Sequence, residues 1–199
     1  MTDVHAAPTT NPYLEGVNAP VSEEVTAFDL PVTGALPTEL NGRWLRNGPN
    51  PIGEVDNPLR HHWFVGDGMV HGVRLRDGNA DWYRNRWVRS DNVARHLGEE
   101  PPSGPSNNGR TGFGPNTNVG GFAGKTWAMV EGGTTPTELT YELDTIARSD
   151  FGGTLASAFS AHPKYDPATG ELHAMTYCWP DLMDHIQYVA VGPDGQVTK

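Results

Sequence analysis

The sequence predicts an all-β protein built of antiparallel sheets. One observation is alternation: Met69, His71, Val73 and Leu75 share one face of a strand, and Val70, Gly72, Arg74 and Arg76 the other. Another is punctuation, with turn pairs such as Asp77-Gly78 and Thr169-Gly170 set between such runs. The third is composition, since 24 glycines and 17 prolines in 199 residues suit many short strands joined by tight turns. No helix is expected. On these grounds a sandwich, a barrel and a propeller all stay open.

Met1–Thr10 is polar. Asn11–Leu40 reads as an acidic, proline-punctuated arm that wraps a surface, with apolar points at Val25, Phe28 and Leu30. Gly42–Asn47 is a short strand, stopped by Asn47-Gly48-Pro49-Asn50-Pro51, and Ile52–Leu59 is a loop. His61–Val65 reads as a strand, followed by the turn Gly66-Asp67-Gly68 and the strand Met69–Arg76. Asp77-Gly78 then turns the chain into Ala80–Arg89. Asp91–Pro115 is a Gly/Pro/Asn/Ser-rich insertion, long enough to be functional or mobile.

Asn116–Phe122 and Thr126–Glu131 form the next hairpin about Ala123-Gly124-Lys125. Thr137–Leu143 adds a strand, and Asp144–Phe151 is a connection. Ser157–Lys164 and Glu171–Cys178 flank Asp166-Pro167 and Thr169-Gly170 as another hairpin. His185–Val191 is a further strand, after which Pro193-Asp194-Gly195 reverses the chain. The strands number about nine by this reading.

The net charge of −10 is unevenly spread. Residues 1–40 carry six acids and no Lys or Arg, whereas nine arginines meet six acids from Asn41 to Arg95. That balance argues against a nucleic-acid partner, and the arginines from Arg74 to Arg89 read as stems covering outer strand faces. The lone Cys178 excludes an internal disulfide and a paired-cysteine metal site, and reads as a small buried hydrophobe. No basic segment followed by an apolar run opens the chain, and no apolar stretch reaches membrane-spanning length. A cytoplasmic chain is expected.

His162 lies where a strand is ending, between small neighbours and Pro163, which favours extended backbone before it. An imidazole so placed suits a cavity or a metal, although a histidine beside a turn is more often structural. His71 reads as a hydrogen-bonded core histidine. His61 and His62 point to opposite faces of their strand and so cannot both join one site. His173 has no ligand role, His185 reads as a surface residue, and His5 and His96 lie in polar stretches. Gly66-Asp67-Gly68 lacks the helix and lysine of a phosphate loop, and no Gly-x-Ser-x-Gly element supports a hydrolase.

Four stretches together carry a resemblance. Leu40-Asn41-Gly42-x-x-Leu45-Arg46-Asn47-Gly48-Pro49-Asn50-Pro51 comes first, then His62-Trp63-Phe64-x-Gly66-Asp67-Gly68-Met69-Val70-His71. Ala128-Met129-x-Glu131-Gly132-Gly133 follows, and last His162-Pro163-Lys164 with Asp166-Pro167-x-Thr169-Gly170-Glu171-Leu172. In this order they resemble the carotenoid cleavage oxygenases, a family that includes stilbene-cleaving enzymes and the retinal pigment epithelium isomerase. The resemblance runs from about Asn11 to the end.

It implies a seven-bladed β-propeller, of which residues 41–199 would form about two blades and the start of a third, with 1–40 as an N-terminal arm. It also implies Fe(2+) held by four histidines on the propeller axis. His162 matches the first of these metal ligands, and the others would lie beyond Lys199. Glu131 matches a position whose carboxylate hydrogen-bonds an iron histidine and orients another ligand. The implied activity is dioxygenase cleavage of a C=C bond in a hydrophobic conjugated substrate (carotenoid, apocarotenoid or stilbene-like), giving two carbonyl products. Dioxygen is the implied co-substrate, and the isolated chain is expected to be inactive, as an N-terminal fragment. A non-catalytic remnant and a retinoid isomerohydrolase-like activity are the alternatives. Asp91–Pro115 offers few apolar residues (Val93, Ala94, Leu97 and Phe113), which argues against membrane docking through it.

Overall fold

The computed structural model describes residues 10–105, 114–132, 134–178 and 182–199. The buried reading of Cys178 falls outside the described residues, as do His5, Gly133 and residues 106–113 of the long insertion. The fold is antiparallel β, as the alternation and turn chemistry require.

Among the described residues, eleven strands make three sheets. The first takes β1 (Thr26–Leu30), β2 (Gly42–Pro49), β3 (Gly68–Arg76) and β4 (Asn79–Trp87) in the order β1-β4-β3-β2. The second takes β5 (Asn118–Phe122), β6 (Lys125–Met129), β7 (Thr137–Leu139) and β8 (Thr145–Arg148) in sequence order. The third runs β11 (Leu182–Val191), β10 (Glu171–Cys178), β9 (Lys164–Asp166). Beyond β11 a further pairing begins at Val197, which bridges Val191, and Thr198 N–H donates to Ala190 O at 2.8 Å.

Five segments depart from the sequence reading. Residues 26–30 of the arm are not surface wrapping alone but the edge strand β1, paired to β4 from Thr26↔Arg84 to Leu30↔Ala80. His61–Val65 is a turn, closed by Val65 N–H to His62 O at 2.9 Å, so the argument from opposite strand faces fails there. The strand expected over Thr137–Leu143 ends at Leu139, because residues 140–144 turn tightly with Leu143 at φ 77°. That turn feeds β8, within what reads as a connection. Only Lys164–Asp166 of Ser157–Lys164 and its surroundings is paired, so His162 stands just before a strand.

The fifth is a helix, α1 (Asp91–Leu97). Ser90 caps its start by accepting from Val93 N–H at 3.1 Å, and Gly98 closes it in the left-handed conformation at φ 70°. Val93 and Ala94 are its buried residues. No helix among the described residues is long and apolar enough to cross a membrane.

The cores lie between the sheets. Val70, Trp82 and Val88 from the first sheet meet Ala128, Leu139 and Leu143 of the second. Phe122, Trp127 and Met129 meet Leu172, Ala174 and Val189 of the third across Phe151 and Phe159, whose rings sit edge to face at 5.1 Å. Met69 and Trp87 pack with Val93 of α1, and Val21 of the arm leans on them. Successive residues Met69 and Val70 thus serve different cores, because the first sheet is covered on both faces. Arg89 ties arm and helix together, bonding Glu24 on one side and Glu99 at 2.8 Å on the other. Arg89→Ala should lower stability by about 1–3 kcal/mol, and urea denaturation of the two chains would measure it.

Candidate functional site

A cleft of about 940 Å³ opens where the inner strands of the three sheets converge. One wall is the arm, through Tyr13, Val17 and Ala19–Val21. The end of β2 (Arg46 to Pro49), His71 of β3 and Asn116-Thr117 before β5 form the back. Trp63, Phe64 and Val65 rim it, and Val130, Glu131 and His162 close the far side. The four sequence stretches, far apart in the chain, therefore meet in one place.

His162 and Glu131 touch: His162 Nε2 lies 2.7 Å from Glu131 Oε1. Tyr177 of β10 donates its hydroxyl to Glu131 Oε2 at 3.0 Å, so the carboxylate is held at both oxygens. Burial, followed by this bond to Glu131, pushes the Tyr177 hydroxyl pKa up. A ring nitrogen cannot donate to Glu131 and give its lone pair to a metal at once. With Nε2 turned to Glu131, the ring nitrogen left open to another partner is Nδ1.

Side-chain amides that the sequence does not mark as functional build the walls. Asn50 accepts from Val21 N–H at 2.7 Å and donates to Val21 O at 2.9 Å, a two-point clamp on the arm. Asn85 does the same, accepting from Val25 N–H at 2.6 Å and donating to Glu23 O at 2.8 Å. Asn11 donates to Pro58 O and His61 O, both at 2.8 Å, and Asn116 to Gly66 O at 2.8 Å. Asp67, read only as a turn residue, is 3% exposed and accepts from Asn92 Nδ2 at 3.1 Å and from Ile52 N–H at 3.3 Å. Burial raises its pKa, against those hydrogen bonds.

His71 is hydrogen-bonded, as expected, with Nδ1 2.9 Å from Tyr83 Oη, but it faces the cleft. Burial, with Arg46 adding repulsion, pushes its pKa down to about 4. The unfolded chain binds a proton here near pH 6.5 and the folded chain only near 4, so stability falls as pH drops through that window. His71→Gln should remove about 1 kcal/mol of the stability difference between pH 7 and pH 5, the side chain being partly solvated. Denaturant titrations at the two pH values check this.

Among the other described histidines, His61 joins the cleft wall, whereas His62 Nδ1 accepts from Phe64 N–H at 3.2 Å. His173 stacks on Tyr188 and His185 pairs with Asp184, both away from the cleft. His96 lies on α1.

Imidazole suits iron, and a carboxylate beside it suits the supporting part, so His162 and Glu131 fit that metal in kind. They do not fit it in number. Among the described residues no group of three or more His, Cys, Asp or Glu could hold a metal ion together.

The sequence model of the family described as "Retinal pigment epithelial membrane protein" matches residues 18–199. The chain belongs to this family, that of the carotenoid oxygenases. The carotenoid cleavage oxygenase of Mycobacterium tuberculosis is 56% identical over 203 residues, covering 100% of this chain and 40% of its own length. The isoeugenol monooxygenase of Pseudomonas nitroreducens is 35% identical over 81% of this chain and 36% of its own. Among solved structures, the lignostilbene dioxygenase of Pseudomonas brassicacearum superposes with a TM-score of 0.78 at 28% identity, over 98% of this chain and 43% of that one. An apocarotenoid oxygenase from Synechocystis gives 0.71 at 25% identity, over 90% and 42%. The three sheets are thus blades of a partial carotenoid oxygenase propeller, and the chain spans about 40% of the length of the curated relatives it matches.

Proposed function

We propose that this chain supplies one iron-binding histidine and one wall of the substrate cleft to a non-haem iron dioxygenase. The substrate would be a carotenoid, an apocarotenoid or a stilbene-like alkene, cleaved at a C=C bond. Both atoms of dioxygen enter the products, one on each former alkene carbon, giving two carbonyl compounds. The observation that carries the reading is the meeting of His162 and Glu131 at 2.7 Å inside a cleft rimmed by aromatic and aliphatic side chains.

The geometry supports the following parts. His162 would hold Fe(2+) together with donors outside these 199 residues, and the bound iron would supply activation of dioxygen. Glu131, steadied by Tyr177, would hold the histidine ligands in orientation. Tyr13, Trp63 and Phe64 offer ring faces to a flat conjugated chain. The relatives' names span carotenoid, isoeugenol and lignostilbene substrates, so the substrate test covers these classes.

The test uses the full-length protein, loaded with Fe(II) under nitrogen and then given 18O-labelled dioxygen and a carotenoid, an apocarotenoid, a stilbene or isoeugenol. Mass spectrometry should find two aldehyde or ketone products from one of them, labelled at the new carbonyls. Bound iron with none of these alkenes cleaved would overturn the dioxygenase reading and favour a retinoid isomerohydrolase-like activity. Neither iron nor cleavage would favour a non-catalytic remnant.

A further inference from the structure

His162 sits outside the β-ladders. Pairing in β9 begins only at Lys164, and Pro163 between them has no N–H to give. The position of the imidazole therefore depends on what holds the backbone from Phe159 to His162. Phe159 N–H donates to Thr134 O at 3.0 Å, and Thr176 Oγ1 donates to Phe159 O at 3.2 Å. His162 N–H turns back on Ser160 Oγ at 3.1 Å. Between these points, Asn118 Nδ2 donates to Ala161 O at 2.7 Å.

Asn118 opens β5, the strand of the second sheet that lies beside β2, so this bond crosses to the segment leading into β9, one residue before His162. It is the second step of a relay. Asn47, on the inner strand of the first sheet, donates through Nδ2 to Pro115 O at 2.9 Å and to Asn118 O at 3.0 Å. Each asparagine thus spans the gap between neighbouring sheets at the end that faces the cleft. The other end of the Asn118 amide is also used, since Oδ1 accepts from Val119 N–H at 2.8 Å and fixes which way Nδ2 points. Ala161 is fully buried, so its carbonyl has no ready exchange of this donor for bulk water.

We propose that Asn118 is a positioning residue for His162, acting through the Ala161 carbonyl. Its functional meaning rests on the reading of His162 as an iron ligand. The bond sets the distance between the inner strands of the second and third sheets and the direction in which the chain enters Pro163. Without it the described bonds that remain on this backbone are the tether to Ser160 within the segment and the two at Phe159, three residues before His162. A misplacement of about 1 Å at a reacting centre can cost about 100-fold, so one such bond is enough to matter.

Asn118→Asp tests this with size and the bond to Val119 kept, the donor lost and a negative charge set against the Ala161 carbonyl; Asn118→Ala tests it by deletion without added charge. In the isotope-labelled 199-residue chain, exchange of the His162 backbone amide proton with water should become about 10-fold faster in both variants. In the full-length protein, iron should dissociate about 10-fold faster or more, the range typical of groups that support a ligand. Unchanged amide exchange at His162 in folded variants would overturn the proposal and leave Asn118 a role in sheet spacing alone. If neither variant folds, wild type decides: a scalar coupling across the hydrogen bond, from the Asn118 side-chain nitrogen to the Ala161 carbonyl carbon, supports it and the absence of that coupling overturns it. Should wild-type full-length protein bind no iron, the iron reading fails, while the exchange measurement still judges the positioning.

Discussion

Gly68→Ala is expected to cost at least about 3 kcal/mol of stability, among the largest effects of any single methyl group in this chain. A Cβ at that position would stand 1.9 Å from Pro115 O, 2.6 Å from Pro115 C and 3.1 Å from Asn116 Cα. All three are backbone atoms, so no side chain can swing aside. Either β3 or the 115–116 segment has to move, and both are tied. Val88 N–H donates to Gly68 O at 2.7 Å, and Asn47 and Asn116 bond the chain on either side of the contact. Because Asn116 lines the cleft, the shift would reach the site as well as the core. Gly42→Ala is the comparison: a Cβ there meets nothing within 4 Å and its φ is ordinary, so its effect should stay within about 1 kcal/mol. Equilibrium urea denaturation of the two variants beside wild type is the measurement. A loss below about 1 kcal/mol for Gly68→Ala would show that β3 and residue 115 are not held together as closely as this.

Glycine 68 also shows what was legible in the sequence. Its pairing with Asp67 read as a turn, and the alternation from Met69 with Asp77-Gly78 read as a hairpin; β3 and β4 are that hairpin. Local chemistry was enough there because both strands are long and their turn is two residues. It was not enough for α1, where a seven-residue helix with Val93 and Ala94 as its buried residues has no period to detect. Ser90, Asp91 and Gly98 were readable capping signals for it. The turn ahead of β8 depends on Leu143 at positive φ, an unusual state for leucine that its burial in the core sustains. The neighbours packed on it include Val70, Trp82 and Val88 of the first sheet, which lie far from it in sequence.

The site divided in the same way. His162 and Glu131 were legible through the motifs that surround them, and the fold brings both to one cleft. The asparagines that build the cleft were not. In a sequence, Asn reads as a turn former. Asn50 and Asn85 act instead as substitutes for a strand, each side chain giving the arm one donor and one acceptor. His61–Val65 misread for a related reason. Its carbonyls go to Asn11 and Asn116 side chains rather than to a ladder, so a strand-like composition is held as a turn.

His162→Ala in the full-length protein should lower bound iron from about one per chain to below about 0.1, with alkene cleavage lost alongside, since imidazole donors make up the implied ligand set. The 199-residue chain itself, supplied with Fe(II) under nitrogen and cleared of excess, should retain less than about 0.1 iron per chain for the same reason of donor number. The contact between Glu131 and His162 makes the series more informative. If Glu131 supports the ligands from outside, Glu131→Gln keeps the shape, removes the charge, and costs about 10- to 100-fold in metal affinity or activity. If Glu131 instead competes with the metal for His162 Nε2, the same variant should tighten iron. Elemental analysis and iron titration of wild type, Glu131→Gln and His162→Ala separate these outcomes. Normal iron in His162→Ala would remove His162 from the ligand set, and with it the reason for placing the reaction in this cleft. Stoichiometric iron in the 199-residue chain, lost on His162→Ala, would show instead that the chain assembles a complete site of its own.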